Sequence, residues 1–175
     1  YNKATENLYK SLKYFEKSLK ITNDYEIYFG YAVCLFETKQ YQKAKEIFED
    51  LLIEYPNRMR LLLSISYCEA YLGNKEKAIH YLKQVKVDQD KNYYLATDDI
   101  HDFQIFEVYY FLEEYDLFLE ECEKVIESFY FADWDHYFYT LWLKNESEKF
   151  NKYIDKYKNE MLEAIKEAKI DDDFS

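Results

Sequence analysis

The side chains best suited to chemistry are few. Three histidines, His80, His101 and His136, and three cysteines, Cys34, Cys68 and Cys122, are all that the sequence offers. A Cys–His nucleophile pair requires the fold to bring Cys122 beside His101 or His136. Cys122, however, falls on the apolar stripe of its own segment, and Cys34 and Cys68 share one inward position of a repeated pattern. Inert, buried thiols are the expectation for all three. Asp98, Asp99, His101 and Asp102 carry the donor types of a divalent-cation site. Crowded where a helix should start, they read instead as a cap and as favourable charge at the helix dipole. Paired carboxylates abound, but no apolar pocket around any one pair can be inferred that would tune it for acid–base work. Gly30 and Gly73 are the only glycines, so no Gly-rich phosphate loop can be built. The expectation is a chain without catalytic residues, cofactor or metal.

The charge points elsewhere. Over 175 residues, 23 Lys and Arg stand against 35 Asp and Glu, a net −12. Such a balance argues against nucleic-acid and anionic-membrane partners and favours a basic one. From Asp88 to Asp135, fifteen acids face only Lys91 and Lys124, −13 in about 48 residues, which leaves +1 for the remainder. Aromatic residues are interleaved with these acids (Phe103, Phe106, Tyr109, Tyr110, Phe111, Tyr115 and Phe118), which a merely solvating face does not need. Hydrophobic residues make up 49 %, so the chain is expected to fold despite its charge. No run of 18 apolar residues is present, so no transmembrane helix is expected. No signal peptide is visible in a sequence that begins at Tyr1. Sparse, odd-numbered cysteines suit a reducing compartment, and a cytoplasmic location is expected.

The elements that must carry these residues are helices. One proline and two glycines are too few for the turns of an all-β fold. Apolar residues recur at three- and four-residue steps, the amphipathic-helix period. The pattern repeats at 34 residues: Ala32 meets Ser66, Cys34 meets Cys68, Ala44 meets Ala78, Phe48 meets Leu82 and Leu51 meets Val85. Each repeat reads as two antiparallel helices joined by a tight turn, at Thr38–Tyr41 and at Gly73–Lys75.

This pattern resembles the tetratricopeptide repeat family. Tyr28, Tyr31, Ala32, Leu35, Tyr41, Ala44, Phe48 and Pro56 occupy that family's characteristic places in the first full repeat, with Leu51 at a place usually small. Leu62, Ile65, Ser66, Ala78, Leu82 and Val85 do so in the second, which departs from the pattern at Glu69 and Lys75. Two degenerate repeats follow, with Phe106, Phe118, Phe138, Phe150 and Tyr157 at places usually small, so looser or rearranged packing is expected there. The resemblance implies an all-α, right-handed superhelical array of about nine helices, forming a single domain over 1–175. It comprises an orphan helix at about 5–21 and repeats at about 25–58, 59–87, 99–128 and 131–169, with Asp98 or Thr97 capping the third. The last helix, about Ser147 to Lys169, would act as a solvating cap.

By the same resemblance, the first helix of each pair lines an inner groove. Its residues would be Glu26, Phe29, Val33, Phe36 and Glu37, then Arg60, Leu63, Tyr67, Ala70 and Tyr71, then Ile100, Phe103, Glu107, Tyr110 and Phe111, and finally Ala132, Asp135, Tyr139, Trp142 and Leu143. A subclass of the family clamps C-terminal carboxylates with basic and amide side chains. Here the clamp places hold Phe29, Val33, Ser64, Ile100 and Gln104, so the clamp is missing. The partner-binding residues expected are Phe29, Tyr67, Tyr71, Asp98, Asp99, Asp102, Phe103, Glu107, Tyr110, Glu113, Glu114, Asp135, Tyr139 and Trp142. The function expected is protein binding without chemistry, by a monomer or by a heterodimer with its partner. Its most concrete form is an acidic inhibitor or immunity-type protein that neutralises a basic partner such as a toxin. The alternative is an adaptor or regulatory scaffold that holds a peptide or helix in an aromatic groove.

Overall fold

The structure, a computed structural model, describes residues 2–85, 102–129 and 134–172. Among the described residues it is all-α: nine helices and one 3-10 turn, with no strand. Two compact units divide the chain, Tyr1–Leu112 and Glu113–Ser175. The boundary falls inside the stretch expected to form the third repeat. The expected caps Thr97 and Asp98 lie outside the described residues.

The first unit holds α1 (Asn2–Ser18), α2 (Tyr25–Glu37), α3 (Tyr41–Glu54), α4 (Met59–Tyr71), α5 (Lys75–Leu82) and α6 (Asp102–Phe111). Asp24 starts α2: its carboxylate accepts from the backbone N–H of Glu26 at 2.9 Å and of Ile27 at 3.3 Å. These are two of the donors that a helix start leaves unpaired. Leu12, Ala32, Leu35, Ala44, Phe48, Leu51, Leu61, Ile65 and Cys68 form one buried cluster. Small residues let the helices close up. A Cβ on Gly30 would sit 2.8 Å from Cζ of Phe15, so the glycine leaves a notch that the α1 ring fills. Ser66 is fully buried and donates to the carbonyl of Ala78 at 2.8 Å, which ties α4 to α5.

Glu69 is 1 % exposed at a place where a large apolar residue is usual. It survives there because Lys45 of α3 lies 3.1 Å from one carboxylate oxygen and the Asn74 amide donates to the other at 2.6 Å. Burial by itself pulls the Lys45 ammonium down, but Glu69, aided by Glu49, more than offsets this and holds it above the ordinary lysine range.

The second unit holds α7 (Tyr115–Val125), a 3-10 turn (Ile126–Ser128), α8 (Trp134–Leu143) and α9 (Ser147–Asp172). Its core is aromatic. Trp134 and Tyr137 are fully buried; Phe129 meets Trp134 edge-on at 5.1 Å, and Trp134 stacks on Phe138 at 5.4 Å. Phe138 packs on Phe150 at 4.9 Å and on Tyr157 at 5.4 Å. The bulky residues at small places are therefore accommodated ring against ring. The indole N–H of Trp134 donates to Glu160 at 2.9 Å, the kind of partner a buried indole needs.

The same turn ends α2, α4, α6 and α8. A residue with positive φ follows: Lys39 at 63°, Gly73 at 80°, Glu113 at 59° and Asn145 at 58°. At three of these sites the next N–H reaches back five residues, Gln40 to Leu35, Asn74 to Glu69 and Glu146 to Leu141, each at 2.8 or 2.9 Å. Lys39 and Gly73 are 34 residues apart, Gly73 and Glu113 are 40, and Glu113 and Asn145 are 32. Gly73 has the residue type that this conformation favours most, and Asn145 the next; Lys39 and Glu113 do not.

Candidate functional site

In the first unit, α2, α4 and α6 leave an open cleft of about 330 Å³, lined by Phe29, Val33, Phe36, Glu37, Phe48, Arg60, Leu63, Ser64, Tyr67 and Gln104. Helical spacing explains the set: residues 29, 33, 36 and 37 on α2, and 60, 63, 64 and 67 on α4, each form one stripe. Four of the five clamp places, held by Phe29, Val33, Ser64 and Gln104, line this cleft. The positions that would read a carboxylate thus present an apolar and neutral surface. The Arg60 guanidinium lies over the Phe29 ring, 5.4 Å from its centroid.

Tyr67 fixes the far wall. Its hydroxyl lies 3.1 Å from the Gln104 carbonyl and 3.2 Å from the Glu107 carboxylate, so its single proton joins α4 to α6. Burial, and then the Glu107 charge, push the phenol well above the ordinary tyrosine range, so it stays a neutral donor. Beside the cleft the aromatic surface continues outward. Tyr71 stacks between Tyr41 at 4.9 Å and Phe111 at 4.6 Å, with Phe36 edge-on at 5.2 Å. Tyr71 is 44 % exposed and Phe111 50 %. A row of rings with that much open face, next to an apolar hollow, has the composition of an interface anchor.

The expected partner-binding residues are distributed as follows. Phe29 and Tyr67 line the cleft, Tyr71 belongs to the ring row beside it, and Glu107 holds Tyr67 in place. Tyr110 is half-buried on α6. Asp102 and Phe103 open α6, while Asp98 and Asp99 lie outside the described residues. Glu113, Glu114, Asp135, Tyr139 and Trp142 belong to the second unit. Tyr41 contributes to the surface although its repeat place marks it as core, whereas Phe48 lines the cleft from the buried core. Tyr41 begins α3 beside the turn, which leaves one face of its ring outward.

The acid surplus divides unevenly. The first unit has 15 Lys and Arg against 17 Asp and Glu, −2, and the second has 8 against 18, −10. Within the second unit, lysines from beyond the acidic run turn back on α7 and the 3-10 turn. Lys144 lies 2.7 Å from Asp116, Lys149 pairs with Glu123, and Lys156 lies 3.3 Å from Glu127. The run is therefore less bare in space than along the chain.

Cys68 and Cys122 are fully buried, and burial pushes the Cys68 thiol up to about 12. No group of three or more His, Cys, Asp or Glu that could hold a metal occurs among the described residues. None of the described helices is long and apolar enough to cross a membrane.

Residues 1–65 match the family model of the tetratricopeptide repeat. Over those residues, 65 of the 175, the chain is similar to the tetratricopeptide repeat family. No curated protein and no solved structure matches it. Tetratricopeptide repeats are protein–protein interaction modules, and generally non-catalytic ones, and the match supports a protein–protein interaction module. The matched residues include α2, α3 and the start of α4, which form the near half of the cleft.

Proposed function

We propose that the protein is an adaptor that holds a peptide segment of a protein partner, with apolar side chains, in the cleft of the first unit. The observation that carries this reading is the cleft and its ring row: an apolar hollow faced by α2, α4 and α6, continued by the exposed stack of Tyr41, Tyr71 and Phe111. Neutral side chains at the clamp places turn it away from C-terminal carboxylates and toward internal segments. The rings supply large contact area at little cost in side-chain entropy.

The test is selection of binders from a random twelve-residue peptide library displayed on phage. Selected peptides should carry apolar anchors, and Tyr71→Ala and Leu63→Arg should each weaken their binding at least about tenfold, the effect of losing a central anchor. Peptides bound equally well by both variants would sink the cleft reading.

A second reading is an acidic inhibitor of a basic protein, favoured by the −10 of the second unit. It predicts that charge-neutralising changes on α7 mainly slow association, and that added salt removes most of the effect.

A further inference from the structure

On α8 of the second unit, Asp135, Tyr139 and Trp142 follow one another at four- and three-residue steps, and so share one helix face. All three are exposed, with Tyr139 at 48 % and Trp142 at 67 %. The two rings lie 5.9 Å apart between centroids with their planes inclined by 31°, a tilted pair of neighbouring aromatic faces. Immediately beyond, at the α8–α9 turn, an open cavity of about 330 Å³ is lined by Trp142, Asn145, Glu146, Phe150 and Asn151, among others. The indole therefore forms one wall of a hollow that also holds a carboxylate and two amides. The lysines flanking this turn in sequence are drawn off toward α7, Lys144 to Asp116 and Lys149 to Glu123.

We propose that this turn receives an arginine side chain from a basic segment of a partner protein. A guanidinium is flat, weakly hydrated and always charged. It can stack on the Trp142 face while its N–H groups bond the Glu146 carboxylate and a neighbouring amide oxygen. Tyr139 and Asp135, further along the same face, offer a ring and a carboxylate to a second basic residue. The −10 of this unit attracts such a segment before contact, which the near-neutral first unit does not. The site is separate from the cleft and does not depend on the cleft's being a peptide site.

The chain has two tryptophans, and only one of them is at the site. Trp134 is fully buried, with its indole bonded to Glu160, and serves as an internal control. The experiment titrates the full-length ¹⁵N-labelled chain with acetyl-hexaarginine-amide at low salt and follows the two indole N–H signals. The Trp142 signal should shift to saturation while the Trp134 signal stays in place. Trp142→Leu, which keeps an apolar side chain but removes the ring, should weaken binding about fivefold, the scale of one cation–π contact. Glu146→Gln should weaken it by a similar factor, and hexalysine should bind more weakly than hexaarginine. An unshifted Trp142 signal, wild-type affinity in either variant, or equal affinity for hexalysine would overturn the proposal. So would an equal loss in Tyr71→Ala, which would put the peptide in the cleft instead.

Discussion

The same repeat position is solved in opposite ways in the two units. Twelve residues apart, the first unit sets Ala32 and Ala44, then Ser66 and Ala78, on facing helices, all four fully buried. The second unit sets Phe138 and Phe150 at the same spacing, ring on ring at 4.9 Å. Small pairs let two helices touch almost backbone to backbone, and the rest of the side chains then point away to build surfaces. Ring pairs need a wider helix spacing and fill it themselves. The first unit spends its aromatics outward, on the cleft and the stack around Tyr71. The second spends most of its own inward, around Trp134, and is left with Tyr139 and Trp142 outside.

The largest expected effect tests that exchange directly. Phe138→Ala should cost the second unit about 3–5 kcal/mol, since the cavity it leaves cannot close between rings. Urea unfolding followed by tryptophan fluorescence reads this unit, because both tryptophans belong to it. A loss below about 1 kcal/mol, the range of a tolerated volume-conserving swap, would mean that the rings are not a packed core. The reciprocal change, Ala44→Phe, should destabilise the first unit by about 1–3 kcal/mol through overpacking, read by circular dichroism.

Next in size is the buried charge of the first unit. Glu69→Leu alone leaves the Lys45 ammonium, 12 % exposed, with only Glu49 at 4.0 Å and should cost about 3 kcal/mol. The double change Lys45→Met with Glu69→Leu should recover most of that loss. If the single change proves as mild as the double, the pair contributes no coupling.

A smaller effect of burial in the first unit is read through pH. Cys68 has an ordinary value of 9.0 and is held up to about 12 when folded. Between those values the unfolded chain has lost the thiol proton and the folded chain keeps it, so stability is full below pH 9 and falls as pH rises toward 12. Cys68→Ala should flatten that slope in denaturant titrations at pH 8 to 11, and an unchanged slope would remove the thiol from the account.

The smallest effect lies at the turns. Lys39→Gly should stabilise by about 0.5–1 kcal/mol by relieving a positive φ, and Gly73→Ala should cost a similar amount. Thermal shifts of opposite sign in the two variants would show that these turns are equivalent. Shifts of one sign would break the equivalence.

The turns and the cleft were legible because repeat places are periodic. Once Ala32 and Ser66 are aligned, Phe29, Val33, Leu63 and Tyr67 must share a face. Glu69 was visible as an exception, but its explanation was not. Lys45 is 24 residues away on another helix, and nothing in local pattern joins them. The spatial setting of the acidic run was hidden for a related reason. Charge summed along the chain cannot register that Lys144, Lys149 and Lys156 fold back onto it. Nor does a periodic pattern separate a ring that is covered from one that is half open, as Tyr41 is beside Tyr71.

The Lys45–Glu69–Asn74 contact has one more consequence. Helical hairpins built on one pattern are nearly interchangeable, and their apolar stripes would accept a neighbour shifted by a turn at little loss. A shifted α4 would part the Lys45 ammonium from the Glu69 carboxylate in the interior, leaving Lys45 only the more distant Glu49 of its own helix. The contact thus acts as an address, written in two letters that match at only one alignment of α3 and α4. It lets a repetitive chain reject its own near-copies while it folds.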